Sequence, residues 1–168
     1  MLSDDIARIP LHARDGSVRA YAIVDAVDAA LPWVSRYRWS LSSKGVAYRT
    51  LPKGSCGPDG RHIRLHRAIL GITGWDGIQG DHIDRDKLNN RRSNLRPVTN
   101  AQNRQNVGSY RGASSAFRGV CWDKARQMWK AEVRLDRKTC FVGRFASEED
   151  AAIAALETRR RLLPWAVN

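Results

Sequence analysis

"GDHIDRDKLNNRRSNLRPVTNAQN", residues 80–103, places an Asp–His pair ahead of a run of Asn, Arg and Ser. One reading is a long solvated loop in which Asp84, Asp86, Asn89, Asn90 and Ser93 build Asx-type turns. The other is a divalent-metal site for cutting a phosphodiester. That reaction needs a base for water, a cation for charge at the phosphate, and a frame to hold both. Imidazole suits the base because it titrates near neutrality. Asp and Asn oxygens suit a hard cation. The spacing supports the second reading: Asn94 follows His82 by twelve residues and Asn103 follows Asn94 by nine. "LRPV" reads as a short strand, and Thr99 with Gln102 predicts a helix from residue 100. A strand–loop–strand–helix path brings Asp81 and Asn103 toward one cation, with His82 beside it.

The 168-residue chain carries 29 Lys+Arg against 17 Asp+Glu, a formal charge of +12. The surplus is spread along it: 10 − 6 = +4 over residues 1–65, 7 − 4 = +3 over 66–110, and 12 − 7 = +5 over 111–168. A chain basic throughout fits a polyanionic polymer, nucleic acid above all. Cys56, Cys121 and Cys140 are odd in number and match no zinc spacing, which points to thiols in a reducing compartment. "MLSDDIARIP" lacks the basic start and apolar core of a signal peptide. No apolar run approaches the roughly 18 residues of a membrane span.

The motif stretch, with "LHRAILG" ahead of it, resembles the HNH nuclease family and its ββα-metal fold over residues 63–106. The resemblance implies that His82 is the general base and that Asp81 and Asn103 bind metal. It makes Asn94 the brace of the loop. Asn in the last motif position resembles the homing-endonuclease branch, and His66 matches a recurring position there, with backbone support or a phosphate contact expected of it. Around the site, Arg85, Lys87, Arg91, Arg92, Arg96 and Arg104 are candidates to clamp phosphates. The alternative for them is a solvated basic loop.

The remaining chain reads as α+β. Residues 6–24 alternate apolar and polar around "RDGS", a predicted hairpin. "VDAALPWVSRY" predicts helical turns broken by Pro32, and "RWSLSS" and "VAYRTL" predict two strands about Lys44 and Gly45. Residues 1–78 therefore form a small α+β unit supporting the 79–106 motif, and 107–116 has linker composition. Residues 117–168 predict a three-stranded antiparallel sheet and a helix. Its strands are "FRGVCWD", "MWKAEVRLD" and "TCFVGRF", with "RK" turning between the last two. Ser147 caps the helix, its acids crowd the start and its arginines the end. Ala151, Ile153, Ala154 and Leu156 are the expected packing face.

In the middle strand, Lys130, Glu132 and Arg134 share one face and Trp129, Ala131 and Val133 the other. A charged sheet face can enter a major groove. Residues 114–163 also resemble the APETALA/ERF DNA-binding domain, through "RGV", "WKAEVR", "GRF" and the acidic-start, Ala-rich helix. That resemblance implies DNA contacts at Arg118, Trp122, Glu132, Arg134 and Phe141, with Lys130 on the same face. Cys121 and Thr139 depart from the family's contact residues, which points away from the family's own target sequence.

Together these readings predict a metal-dependent, site-specific DNA endonuclease of homing type, such as phages and bacteria carry. It uses magnesium, with manganese as the alternative, acts on double-stranded DNA in the cytoplasm, and has no membrane partner. A monomer with one site nicks one strand; whether it is a monomer or dimer stays open. The rival from another class is a sequence-specific DNA-binding regulator with an inert nuclease motif. A third is an RNA-binding protein.

Overall fold

The computed structural model describes residues 5–56, 60–74, 77–109, 112–135 and 138–166. It is a mixed α+β protein whose contacts separate residues 1–100 from residues 101–168 as two compact units.

The first unit begins with strands β1 (Ile6–His12) and β2 (Val18–Asp25), paired antiparallel. Asp15 closes their turn by accepting from the Ser17 amide at 3.0 Å, and Gly16 supplies the positive φ of 96°. Two single-turn helices follow, α1 (Ala26–Ala29) and α2 (Pro32–Ser35). Pro32 starts α2, where its missing N–H costs nothing. β3 (Trp39–Leu41), β4 (Ala47–Thr50) and β5 (His62–Arg64) complete a five-stranded sheet in the order β2-β1-β3-β4-β5. β3 joins β1 in parallel. Leu11, Val24, Trp39, Ala47 and Leu65 are buried in its core with Val34, Ile69 and Leu95. The Trp39 indole finds its partner in the Val34 carbonyl, at 3.0 Å.

β5 runs straight into α3 (Leu65–Ile69). β6 (Ile78–His82) and β7 (Leu95–Thr99) then form a two-stranded antiparallel ribbon. α4 (Asn100–Asn103) begins where Thr99 and Gln102 predict it, and a 3-10 turn over Arg104–Asn106 extends it. The ribbon packs with residues 1–78, and the division between units falls between Asn100 and Ala101.

The second unit holds β8 (Val120–Asp123), β9 (Met128–Leu135) and β10 (Lys138–Phe145) in the order β10-β9-β8, then α5 (Glu148–Leu162). The turn expected at "RK" begins at Arg137, which with Asp136 lies outside the described residues. The Ser147 hydroxyl accepts from the Asp150 amide at 3.0 Å, an N-cap. Val120, Ala131, Ala151 and Ala155 form the core, joined by Trp129, Phe141 and Phe145. The buried side of α5 is Ala151, Ala155 and Thr158, and Ile153 is 54% exposed. The expected face at 151, 153, 154 and 156 is thus corrected: side chains four and then three apart share a helix face, and a step of two turns away from it. No helix among the described residues is long and apolar enough to cross a membrane. Cys56, Cys121 and Cys140 are exposed and form no disulfide.

Candidate active site

Strand alternation sends Gly80 and His82 to one face of the β6–β7 ribbon and Asp81 to the other. On its face Asp81 is buried and stands opposite Arg96, whose Nε and Nη2 reach Oδ2 at 2.9 and 2.8 Å. On the other face His82 is 6% exposed and stands opposite core residue Leu95.

Asn90 orients the imidazole. Its Oδ1 lies 3.3 Å from His82 Nε2, and its Nδ2 donates to the Leu88 carbonyl at 2.9 Å. With the amide turned that way, His82 donates from Nε2 and carries its lone pair on Nδ1. Burial pushes the His82 pKa down, against the Asn90 hydrogen bond and the carboxylates of Asp84, Asp81 and Asp86, which raise it. A neutral ring with a lone pair is what a base at neutral pH requires.

The loop between the strands is a hydrogen-bonded scaffold. Asn94 is its hub: Oδ1 accepts from the Asp84 amide at 3.0 Å, and Nδ2 donates to Asp84 Oδ1 and the Asn89 carbonyl, each at 2.8 Å. Asp84 and Asp86 make Asx turns, accepting from the Asp86 and Leu88 amides at 2.8 and 2.9 Å. Against the desolvation that raises it, hydrogen bonds from Asn89, Asn94 and the Asp86 amide hold the Asp84 carboxyl below its ordinary range. The Asx turns and the candidate active site therefore coexist in one loop. The loop docks on the outer edge of β2, where Ile23 N donates to the Leu88 carbonyl at 2.8 Å and Asn90 N to the Ile23 carbonyl at 2.7 Å.

His66 sits on α3, 6% exposed, its ring 4.9 Å from that of His82. It occupies the space a side chain on Gly80 would need: a Cβ there would lie 2.6 Å from His66 Cδ2. Burial, then the positive potential of His82, Arg64 and Arg67, lowers its pKa to about 3. It packs against the His82 ring and the β6 backbone, and at 6% exposure it offers little surface to a phosphate.

The arginines expected to clamp phosphates divide. Arg91 pairs with Asp25 at 3.2 Å, and Arg92 grips Asp28 through two bonds of 2.9 and 2.7 Å. Asp28 is 1% exposed, so Arg92 neutralises a buried carboxylate and pins the loop to α1. Arg96 is committed to Asp81. Arg85 is exposed with a positive φ of 67°, and Lys87 is exposed with Nζ on the Lys44 carbonyl at 2.9 Å. Sequence reading missed Asn90, Asp25, Asp28 and Gly80 as parts of this site. Only Asn90 had a signal, as one more polar residue in the motif.

Asn103 and Arg104 belong to the second unit, Arg104 exposed. There Arg118 donates to the carbonyls of Gln105 and of Arg104, the latter at 3.1 Å. Trp122 meets Trp129 edge-on at 5.2 Å. Glu132 accepts from Lys130 and, at 2.6 Å, from Arg134, which makes a charged triad on the outer face of β9. The Lys130 hydrogen bond is the main cause holding the Glu132 carboxyl below its ordinary range.

Residues 73–105 match the HNH endonuclease family. The chain is 36% identical over 127 residues to a protein of Acanthamoeba polyphaga mimivirus named as an uncharacterized HNH endonuclease. It is 33% identical over 78 residues to Protein 3.8 of Escherichia phage T7. These alignments cover 72% and 46% of this chain. The chain spans 60% of the first HNH relative's length and 64% of the second protein's. No solved structure matches it. The HNH segment runs from the residues just before β6 through α4, so it contains Asp81, His82, Asn94 and Asn103.

Proposed function

We propose that the chain is a metal-dependent endonuclease that hydrolyses phosphodiester bonds of double-stranded DNA, site-specific and of homing type. The observation that carries this is the buried His82 imidazole, oriented by Asn90 at the start of a loop braced by Asn94. His82 Nδ1 takes the proton of the attacking water. Asn94 keeps the loop in register, and Arg85 and Lys87 meet the backbone phosphates.

For the metal, the donors fit a hard cation. The ligand proposed in the first unit is Asp81, an oxygen donor that Arg96 engages on the ribbon face opposite His82, so the expectation of His82 beside that cation is corrected by strand alternation; Asn103 is proposed from the motif spacing alone. Two oxygen donors leave most of a six-coordinate shell to water, as magnesium favours. A bound magnesium or manganese ion supplies charge stabilisation at the scissile phosphate and the leaving oxygen.

In the second unit, Lys130, Glu132 and Arg134 form the proposed reading face, and Arg104 a phosphate contact. One site per chain favours nicking. The phage and viral relatives support action inside an infected or bacterial cell. One observation favours the rival, a DNA-binding regulator with an inert centre: Arg96 already neutralises Asp81.

Supercoiled plasmid carrying randomised inserts separates the two. The nuclease nicks it with magnesium but not with chelator, and His82→Ala lowers the rate by about 100-fold or more while binding persists. Selective binding with intact plasmid in every lane would establish the regulator.

A further inference from the structure

The outer face of β4 and β5 carries a hollow of about 300 Å3 lined by Ser42, Ser43, Lys44, Val46, Tyr48, His62 and Arg64. Organic-ligand clefts are mostly apolar. Val46 is the one aliphatic side chain here, and the lining includes no acid. Strand register accounts for the grouping. Tyr48 pairs with Arg64 and Thr50 with His62, so all four project from one face while Ala47 turns into the core. Tyr48 and His62 meet edge to face at 5.1 Å and form a rigid floor. Lys44 and Arg64 are exposed cations at the rim, and Ser42, Ser43 and Tyr48 offer hydroxyls. Cations and hydroxyl donors converging on a polar hollow are the chemistry of a phosphodiester contact.

The hollow is also tied to the candidate active site at both ends. Lys87 of the motif loop donates to the Lys44 carbonyl at 2.9 Å, in the β3–β4 turn. Arg64 lies two residues before His66, whose ring packs against His82. A backbone phosphate held here would be registered against the base through rigid elements of one unit.

We propose that this hollow binds a backbone phosphate of the duplex away from the scissile one, with Lys44 and Arg64 as the charged contacts. The inference rests on the reading that the partner is double-stranded DNA, and it adds a positioning site outside the motif. Phosphate contacts set register and orientation and leave sequence choice to other residues.

The test is a duplex-binding titration with chelator present, from low to moderate salt, for three proteins: wild type, Lys44→Ala/Arg64→Ala, and Arg8→Ala/Arg19→Ala. The last removes the same charge from exposed positions on β1 and β2, at the far side of the sheet. Each lost phosphate contact lowers the slope of log affinity against log salt by about 0.9. The expected result is a slope smaller by about 0.9 for Lys44→Ala/Arg64→Ala, because both side chains hold one phosphate, with the control pair close to wild type. Inorganic phosphate at the same ionic strength is expected to compete no better than chloride, because the site is set by the polymer's backbone. An unchanged slope, an equal fall in the control, or selective displacement by free phosphate overturns the proposal. So does a slope change seen with single-stranded RNA alone. If wild type binds no duplex at all, the DNA reading falls with it; binding with an unchanged slope overturns this site and leaves that reading standing.

Discussion

Acid should loosen the first unit through His66. Its imidazole is 6% exposed, and its Nδ1 has no hydrogen-bond partner among the described residues. Its pKa is lowered from 6.5 to about 3, by burial first and by His82, Arg64 and Arg67 next. The unfolded chain therefore takes up this proton more readily than the folded one. The stabilisation is complete above about pH 6.5 and is lost as pH falls through the window between 6.5 and about 3. At about 1.4 kcal/mol per pH unit, the fall from pH 6.5 to pH 5 costs roughly 2 kcal/mol. His82, whose pKa burial also depresses, adds a loss of the same sign. His66→Phe keeps an aromatic ring and removes the titration. Urea unfolding followed by 19F NMR of fluorotryptophan-labelled protein isolates the right unit, because Trp39 lies wholly in its core. Wild type should lose roughly 2 kcal/mol more than His66→Phe between pH 7 and pH 5. Equal losses would refute the account, since His66 would then accept a proton in the folded state at no cost.

Three substitutions probe the packing directly. Gly80→Ala puts a Cβ 2.6 Å from His66 Cδ2. It should cost about 1–3 kcal/mol in urea unfolding and slow plasmid nicking by disturbing the base, and His66→Ala in the same chain should recover part of the stability. Asn94→Ala removes the partners of the Asp84 amide, the Asp84 carboxylate and the Asn89 carbonyl. A loss of about 2–3 kcal/mol is expected, with faster amide exchange confined to residues 83–94; uniform exchange would refute the bracing role. Gly119→Ala combines a φ of 80° with a Cβ 2.7 Å from the Glu132 carbonyl oxygen. It should lower the melting transition of the second unit and leave the first unchanged, read by the Trp129 and Trp39 resonances respectively.

Local pattern made much of the fold legible in the sequence. Alternation marked β1, β2 and β9, because one strand face must meet the core and the other water. Ser147 announced the start of α5, because a hydroxyl satisfies an otherwise orphaned amide. "RDGS" announced its hairpin, and Thr99 the start of α4, for reasons contained within a few residues. The face of α5 was misplaced at Ile153 because Ala-rich helices carry little amphipathic contrast, and only the sheet beneath decides which small residues it covers.

The motif, likewise, sat in the sequence as residue types at a spacing: Asp81, His82, Asn94 and Asn103. Those types and intervals name a chemistry, since imidazole and oxygen donors have properties that do not wait for a fold. What each side chain does with them was decided by tertiary structure. Asp25 and Asp28 reach Arg91 and Arg92 across more than sixty residues and turn expected phosphate clamps into anchors. The β6–β7 register sets Arg96 opposite Asp81. Asn90 reaches His82 because the loop closes on the edge of β2, and His66 reaches Gly80 because α3 packs on β6. Each of these contacts pays loop-closure entropy with burial contributed by distant parts of the chain. That balance is a property of the assembled core, so no local window of the sequence contains it.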